Sequence, residues 1–246
     1  MVVSSKPAFP RRRLIVRYLP ILASAALALA TPLTLARAEV ANTHEAGAAS
    51  LSDRLALTAL VQSLRAGLGA TDSATLFLED WCGRYGIASQ AKIVARQVPG
   101  AVPLTAEQRT QLPIDAAEPV VYRRVQLVCG DQVLSEADNW YLPNRLTPQI
   151  NKQLTETDTP FGRAIRPLGP SRRTLASTML WQVLPEGWER MPSDQLAGWA
   201  GAAPAPAYDP SASLFENRAI VLRQDGKPIS EVRETYKMPL IAFRFR

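Results

Sequence analysis

The chain holds one histidine, His44, and two cysteines, Cys82 and Cys129, in 246 residues. A Ser-His-Asp or Cys-His nucleophile system therefore has a single candidate base. That histidine lies in the Ala-containing stretch 40–50, which reads as a solvated leader. A multi-histidine metal site is excluded, and two cysteines cannot build a four-cysteine zinc site or one of two cysteines and two histidines. The longest apolar run, Ile21 to Ala30, falls short of the roughly 20 residues that a membrane span needs. The 20 prolines argue against a long helical bundle. Acidic residues are missing altogether from positions 1–38.

That last absence explains the net charge of +6. Lys6, Arg11, Arg12, Arg13, Arg17 and Arg37 carry the whole excess, and the rest of the chain balances 22 basic residues against 22 acidic ones. Bulk attraction for nucleic acid is therefore not expected. A basic stretch (11–17), an apolar stretch (21–30) and the triplet Ala36-Arg37-Ala38 together read as a signal peptide cut after Ala38. The expected organisation is a signal peptide (1–38), a leader (39–50) and one domain (51–246), periplasmic or secreted and free of the membrane once cut. In an oxidising compartment Cys82 and Cys129 can form one disulfide.

Apolar residues at 55, 57, 60, 61 and 64 have helical spacing, with Ser52 or Asp53 as cap. A second short helix is expected over 74–82 and a first strand over 87–98. Two hairpins follow, 120–129 with 133–143 and 217–223 with 228–239, turned at Gly130-Asp131 and Asp225-Gly226. Between them lie a helix from Thr147, the loop 157–162, a strand over 174–184 and an irregular Pro-containing insertion, 185–212. Trp188 and Trp199 in that insertion are expected to cover apolar surface. The pattern predicts an α+β fold on an antiparallel sheet built from two long hairpins, with N-terminal helices and a middle helix.

Five stretches occur in a telling order: Leu76-Phe-Leu-Glu-Asp80, Arg124-Val-Gln-Leu-Val-Cys-Gly-Asp131, Tyr141-Leu-Pro143, Thr159-Pro-Phe-Gly162 and Asp225-Gly-Lys-Pro228 with Glu234 and Pro239 downstream. On these the chain resembles the chorismate lyase (chorismate pyruvate-lyase) family. Its fold is shared with the ligand-binding (UTRA) domains of GntR-type regulators. The resemblance implies a closed apolar pocket that converts chorismate to 4-hydroxybenzoate and pyruvate with no metal or organic cofactor. It implies Arg124 as the carboxylate anchor, Glu234 as the acid of the last strand, and Cys82 and Phe161 as pocket lining. A carboxylic acid in an apolar pocket can serve as general acid or base.

The chain departs from that family at several points. One extra residue separates Pro228 from Pro239, so a register slip would turn Glu231 or Arg233 inward in place of Glu234. Asn139 stands where an arginine is common, and the 185–212 insertion has no counterpart in the family. Two functions follow from the resemblance: an exported chorismate lyase-like enzyme, or a non-catalytic binding module. Either would take a small aromatic or dicarboxylate ligand resembling chorismate or 4-hydroxybenzoate, and the expected state is a monomer.

Overall fold

The computed structural model describes residues 49–115 and 117–246. The expected signal peptide, His44 and all of the leader except Ala49 and Ser50 lie outside the described residues. Helix α1 (Leu51–Ala70) starts at Ser50, whose hydroxyl accepts from the Asp53 N–H while the Asp53 carboxylate accepts from the Ser50 N–H. This reciprocal capping box moves the cap from the expected Ser52 or Asp53 to Ser50, because Asp53 is needed at the third helical position. Helix α2 (Ala74–Arg84) follows, capped by Ser73.

Six strands form one antiparallel sheet: β1 (Ile93–Val98), β2 (Val121–Cys129), β3 (Gln132–Tyr141), β4 (Ser171–Met179), β5 (Ser213–Leu222) and β6 (Pro228–Lys237). Their spatial order is β1-β2-β3-β6-β5-β4, so the two hairpins meet at β3 and β6. This is the α+β, two-hairpin sheet expected from the sequence. The first hairpin turns at Gly130, which has a positive φ of 56° and whose missing Cβ would sit 2.8 Å from Ala88 Cβ. Gly226, at φ 80°, turns the second.

Local boundaries differ from expectation for physical reasons. Residues 87–92 turn rather than extend, because Gly86 takes φ 58° and the Ile87 N–H returns to the Cys82 carbonyl. Strand β4 ends at Met179, where the Leu180 and Trp181 N–H groups converge on the Leu214 carbonyl and the chain leaves the sheet. The 185–212 insertion contains helix α6 (Ser193–Ala202). It is tied down by Arg54 of α1, a buried side chain that donates to the Val183, Ala203 and Pro204 carbonyls and lies 5.1 Å over the Trp199 ring. Trp199 therefore spends its face on a protein cation. Helix α3 (Ala106–Gln111), which the apolar pattern did not announce, lies on the reverse face, where Gln108 donates to Glu231.

Two apolar clusters occupy the other face of the sheet. One joins α1 and α2 to β1, β2 and the last strands through Leu64, Leu78, Trp81, Leu127 and Tyr236. The other joins α4 (Pro148–Glu156) and α5 (Phe161–Ala164) to β5 and β6 through Leu154, Phe161, Val221 and Val232. Cys82 of α2 and Cys129 of β2 form a disulfide 47 residues apart in sequence. Closing a loop of that length in the unfolded chain stabilises the fold by about 4 kcal/mol in the chain-entropy account. Replacing both cysteines with alanine should therefore lower the urea midpoint without changing the sheet's circular dichroism in native buffer. An unchanged midpoint would contradict the clamp.

Candidate functional site

Where the two apolar clusters meet, they leave a small cavity. Its floor is the inward face of the sheet: Arg123, Val125 and Leu127 of β2, Ala137 and Asn139 of β3, Val232 and Glu234 of β6, and Arg172 and Val221 further along. Ser73, Ala74 and Thr75, at the start of α2, form one wall, and Phe161, Gly162 and Ile165 another. The Thr159-Pro-Phe-Gly162 motif is thereby explained. The Thr159 carbonyl accepts from Arg123, and Phe161 presents its ring 5.8 Å from that of Tyr141. A Cβ on Gly162 would sit 3.1 Å from the hydroxyl oxygens of Ser73 and Thr75, so glycine lets α5 approach α2 closely. Glu79, from the Leu-Phe-Leu-Glu-Asp motif, bridges Arg163 of α5 and accepts from the Ile93 N–H of β1.

Strand alternation decides which arginine enters the cavity. Arg123 shares the face of Val125 and Leu127, whereas Arg124 shares the face of Gln126. Arg124, expected from the resemblance to anchor a carboxylate, instead lies on the reverse face, half-exposed beside Glu136 and Asp138. Arg123 takes the inward position. The odd-numbered apolar residues of β2 carry that signal. Cys82 is likewise not part of the lining: it lies eight residues along α2 from Ala74, and its sulfur is committed to Cys129. Glu234 and Phe161 do line the cavity. Glu231 and Arg233 face the reverse side, where Glu231 pairs with Arg218 and Arg233 with Asp138.

Glu234 is not alone. Arg172, which the expected start of β4 at residue 174 left out of the strand, reaches it with Nη2 at 2.6 Å from Oε2 and Nη1 at 3.4 Å from Oε1. The Tyr236 hydroxyl donates to the same Oε2 at 2.9 Å. Burial works against the Arg172 charge, but the Glu234 carboxylate beside it more than compensates and raises its pKa above the ordinary guanidinium value. Burial also pushes the Tyr236 phenol well up, with Glu234 adding to the shift.

Arg123 is in the opposite situation. It is 7% exposed and forms no ion pair with any described carboxylate. Its Nη2 donates to Thr159 at 3.2 Å, while its buried Nε has no partner among the described residues. Burial pulls its pKa below the ordinary value, with Tyr141 working the other way. Beside it on the neighbouring strand, Asn139 accepts from the Ser230 hydroxyl through Oδ1, leaving its NH2 group without a partner among the described residues. At the start of α2, beside the same cavity, the Ser73 hydroxyl takes the Leu76 N–H, while the Ala74 and Thr75 N–H groups have no intrahelical acceptor. Around Arg123 the uncommitted side-chain groups are the Asn139 NH2 and the Thr75 hydroxyl, with the exposed Asp72 carboxylate at the edge of the lining.

No family model matches the chain. Over 221 residues, 89% of this chain and 90% of the relative, it is 39% identical to "Uncharacterized protein y4mC" of Sinorhizobium fredii (strain NBRC 101917 / NGR234). The chain belongs to the family of y4mC. Among solved structures, this y4mC-family chain is similar to PhnF from Mycobacterium smegmatis, with a TM-score of 0.39 and 15% identity, covering 68% of this chain and 64% of that one. It is also similar to the effector domain of PhnF (0.38, 14%, 59% and 81%) and to a GntR-family transcriptional regulator from Bacillus cereus (0.36, 11%, 61% and 93%).

The ion pair under the sheet makes a direct prediction. Arg172→Met should cost about 3–5 kcal/mol, because it strands a buried carboxylate, whereas Arg172→Met combined with Glu234→Leu should recover most of the loss. Urea unfolding of the single and double variants measures this. Additive losses in the double variant would contradict the pairing.

Proposed function

We propose that this chain is a binding module for small monocarboxylates with an apolar or aromatic body. The observation that carries the reading is Arg123, a buried guanidinium with no carboxylate partner among the described residues, set beside the uncommitted Asn139 NH2 in a largely apolar cavity. A guanidinium held out of water needs a counter-charge, and a planar carboxylate matches its fork. Charge counting narrows the ligand. Arg172 and Glu234 neutralise each other and the Asp72 carboxylate stands exposed at the edge, so Arg123 is the buried charge of the lining that has no partner. A second carboxylate would have to displace Glu234 from Arg172. The monoanion 4-hydroxybenzoate therefore suits the cavity better than a dicarboxylate. Its ring would lie against Val125, Leu127, Val221 and Phe161.

A lyase reading has one observation in its favour: Arg123 and Glu234 line the same cavity. Against it stands the engagement of both Glu234 oxygens by Arg172 and Tyr236. Using Glu234 as a proton carrier would break those bonds. Binding without turnover is the better-supported function.

We read residues 1–38 as the export signal that delivers this domain to the periplasm. The basic and apolar stretches with Ala36-Arg37-Ala38 support that reading, and so does a disulfide in the folded domain, which persists in oxidising compartments. Among the described residues no helix is long and apolar enough to cross a membrane. Expressed in a Gram-negative host, the protein should appear in the periplasmic fraction with Glu39 as its first residue by mass spectrometry. An uncut chain confined to the cytoplasm would contradict export.

Titration calorimetry with 4-hydroxybenzoate tests the ligand class. Saturable one-to-one binding is expected. Arg123→Gln should weaken it by about 1.5–3 kcal/mol, the range for a hydrogen bond to a charged group. Arg124→Gln should leave it unchanged. Incubation with chorismate should release no 4-hydroxybenzoate, and release that Glu234→Gln abolishes would instead establish the lyase.

A further inference from the structure

A second cavity lies between α1 and the chain that leaves β4, outside the site described above. Its floor is apolar, with Val183 buried at its base, and the two indoles of Trp181 and Trp188 are half-buried in its lining. The chain has five tryptophans, and these two are used differently from the rest. Trp81 donates its indole N–H to the Leu240 carbonyl at 2.9 Å and Trp140 to the Val102 carbonyl at 2.7 Å, while Trp199 lies under Arg54. Trp181 and Trp188 make no side-chain hydrogen bond and no ring contact with any described residue, and their indole nitrogens remain accessible. A half-buried indole with an unspent N–H offers a flat apolar face and one donor together.

The polar groups of the lining narrow the ligand. Among the described residues Glu189 is the one charged group of the lining, and no lysine or arginine joins it. Arg65, one turn along α1, reaches Gln62 at 3.4 Å, and Arg54 donates to the Val183 carbonyl from behind the floor. Glu189 is itself exposed, where water and salt screen an ion pair, so an ionic ligand of either sign gains little from it. Gln182 has no side-chain partner among the described residues, and Gln62 accepts only that long bond from Arg65, so the two amides offer donors and an acceptor side by side. A complementary molecule must be uncharged, must present hydroxyls that both donate and accept around its edge, and must have a flat C–H face for the indoles.

A pyranose ring meets all three requirements. We infer that this cavity is a saccharide-binding site in which Trp181 and Trp188 pack on the sugar C–H face. Gln62, Gln182 and Glu189 bond its hydroxyls. The site stands apart from the Arg123 cavity, whose walls are formed by different residues.

The test uses the full chain labelled with 15N, in which each indole N–H gives its own resonance. The probes are glucose, galactose, mannose, N-acetylglucosamine, maltose and cellobiose, with tetramethylammonium as an organic cation and 4-hydroxybenzoate as an anion. At least one sugar should move two indole resonances saturably, and Trp181→Phe and Trp188→Phe should assign them. The resonances of Trp81, Trp140 and Trp199 should stay in place. Trp188→Leu and Gln182→Ala should abolish or reduce the response to sugar, while the three unmoved resonances report that the fold is intact. Lack of movement with all six sugars overturns the proposal, as does movement by tetramethylammonium alone. The response to 4-hydroxybenzoate is read separately and bears only on the Arg123 cavity.

Discussion

Two buried guanidinium groups and one buried carboxylate share the space beneath a six-stranded sheet, and the site depends on how their charges are settled. Removing an ion from water costs several kcal/mol unless a partner of opposite sign stands close by. Arg172 has that partner in Glu234, with Tyr236 completing the carboxylate's bonds. Arg123 has a backbone carbonyl and, among the described residues, no carboxylate. A fold that holds a guanidinium so incompletely matched, next to a cavity, is stabilised by whatever anion enters, since a ligand that binds only the folded state adds to its stability.

The surrounding architecture keeps that space open. The two apolar clusters press on different strands, and the cavity falls at their junction. The wall made by the start of α2 and the floor made by β2 cannot separate freely, because the Cys82–Cys129 bridge joins the far end of α2 to the far end of β2. The Glu79–Arg163 pair and the close fit of Gly162 against Ser73 and Thr75 fix the second wall to the first. Pre-formed walls of this kind lower the ordering cost of binding. Gating is not required to explain entry, since Asp72 stands exposed at the edge of the lining.

Much of this can be read from the residues, and the failures have specific causes. Period-two alternation and the Gly130 and Gly226 turns locate both hairpins, because tight turns and half-buried strands leave local marks. Phe161 of Thr159-Pro-Phe-Gly162 and Glu234 enter through the resemblance instead, and both line the cavity. The resemblance points to Arg124 because it aligns one arginine of an adjacent pair, whereas the alternation of Val125 and Leu127 against Gln126 assigns the inward place to Arg123. Arg172 escapes a sequence reading because the apolar pattern starts the strand two residues after it. Its importance comes from Glu234, which is 62 positions away in sequence. The two short helices in 99–120 and 185–212 leave little periodic signal: α3 is six residues long, and α6 is docked through Arg54, a contact made across 149 and 150 residues.

The central claim is that Arg123, and neither of the other arginines near it, receives the ligand's charge. The most direct measurement is the arginine Nε–H region of the 15N spectrum during a titration with 4-hydroxybenzoate. Arg123 is assigned there by Arg123→Lys, and Arg124 and Arg172 by the corresponding lysine variants. The Arg123 resonance should shift saturably and its solvent exchange should slow, while those of Arg124 and Arg172 hold their positions. A saturable shift at Arg124 with Arg123 unmoved, or no arginine shift at ligand saturation, would contradict the account.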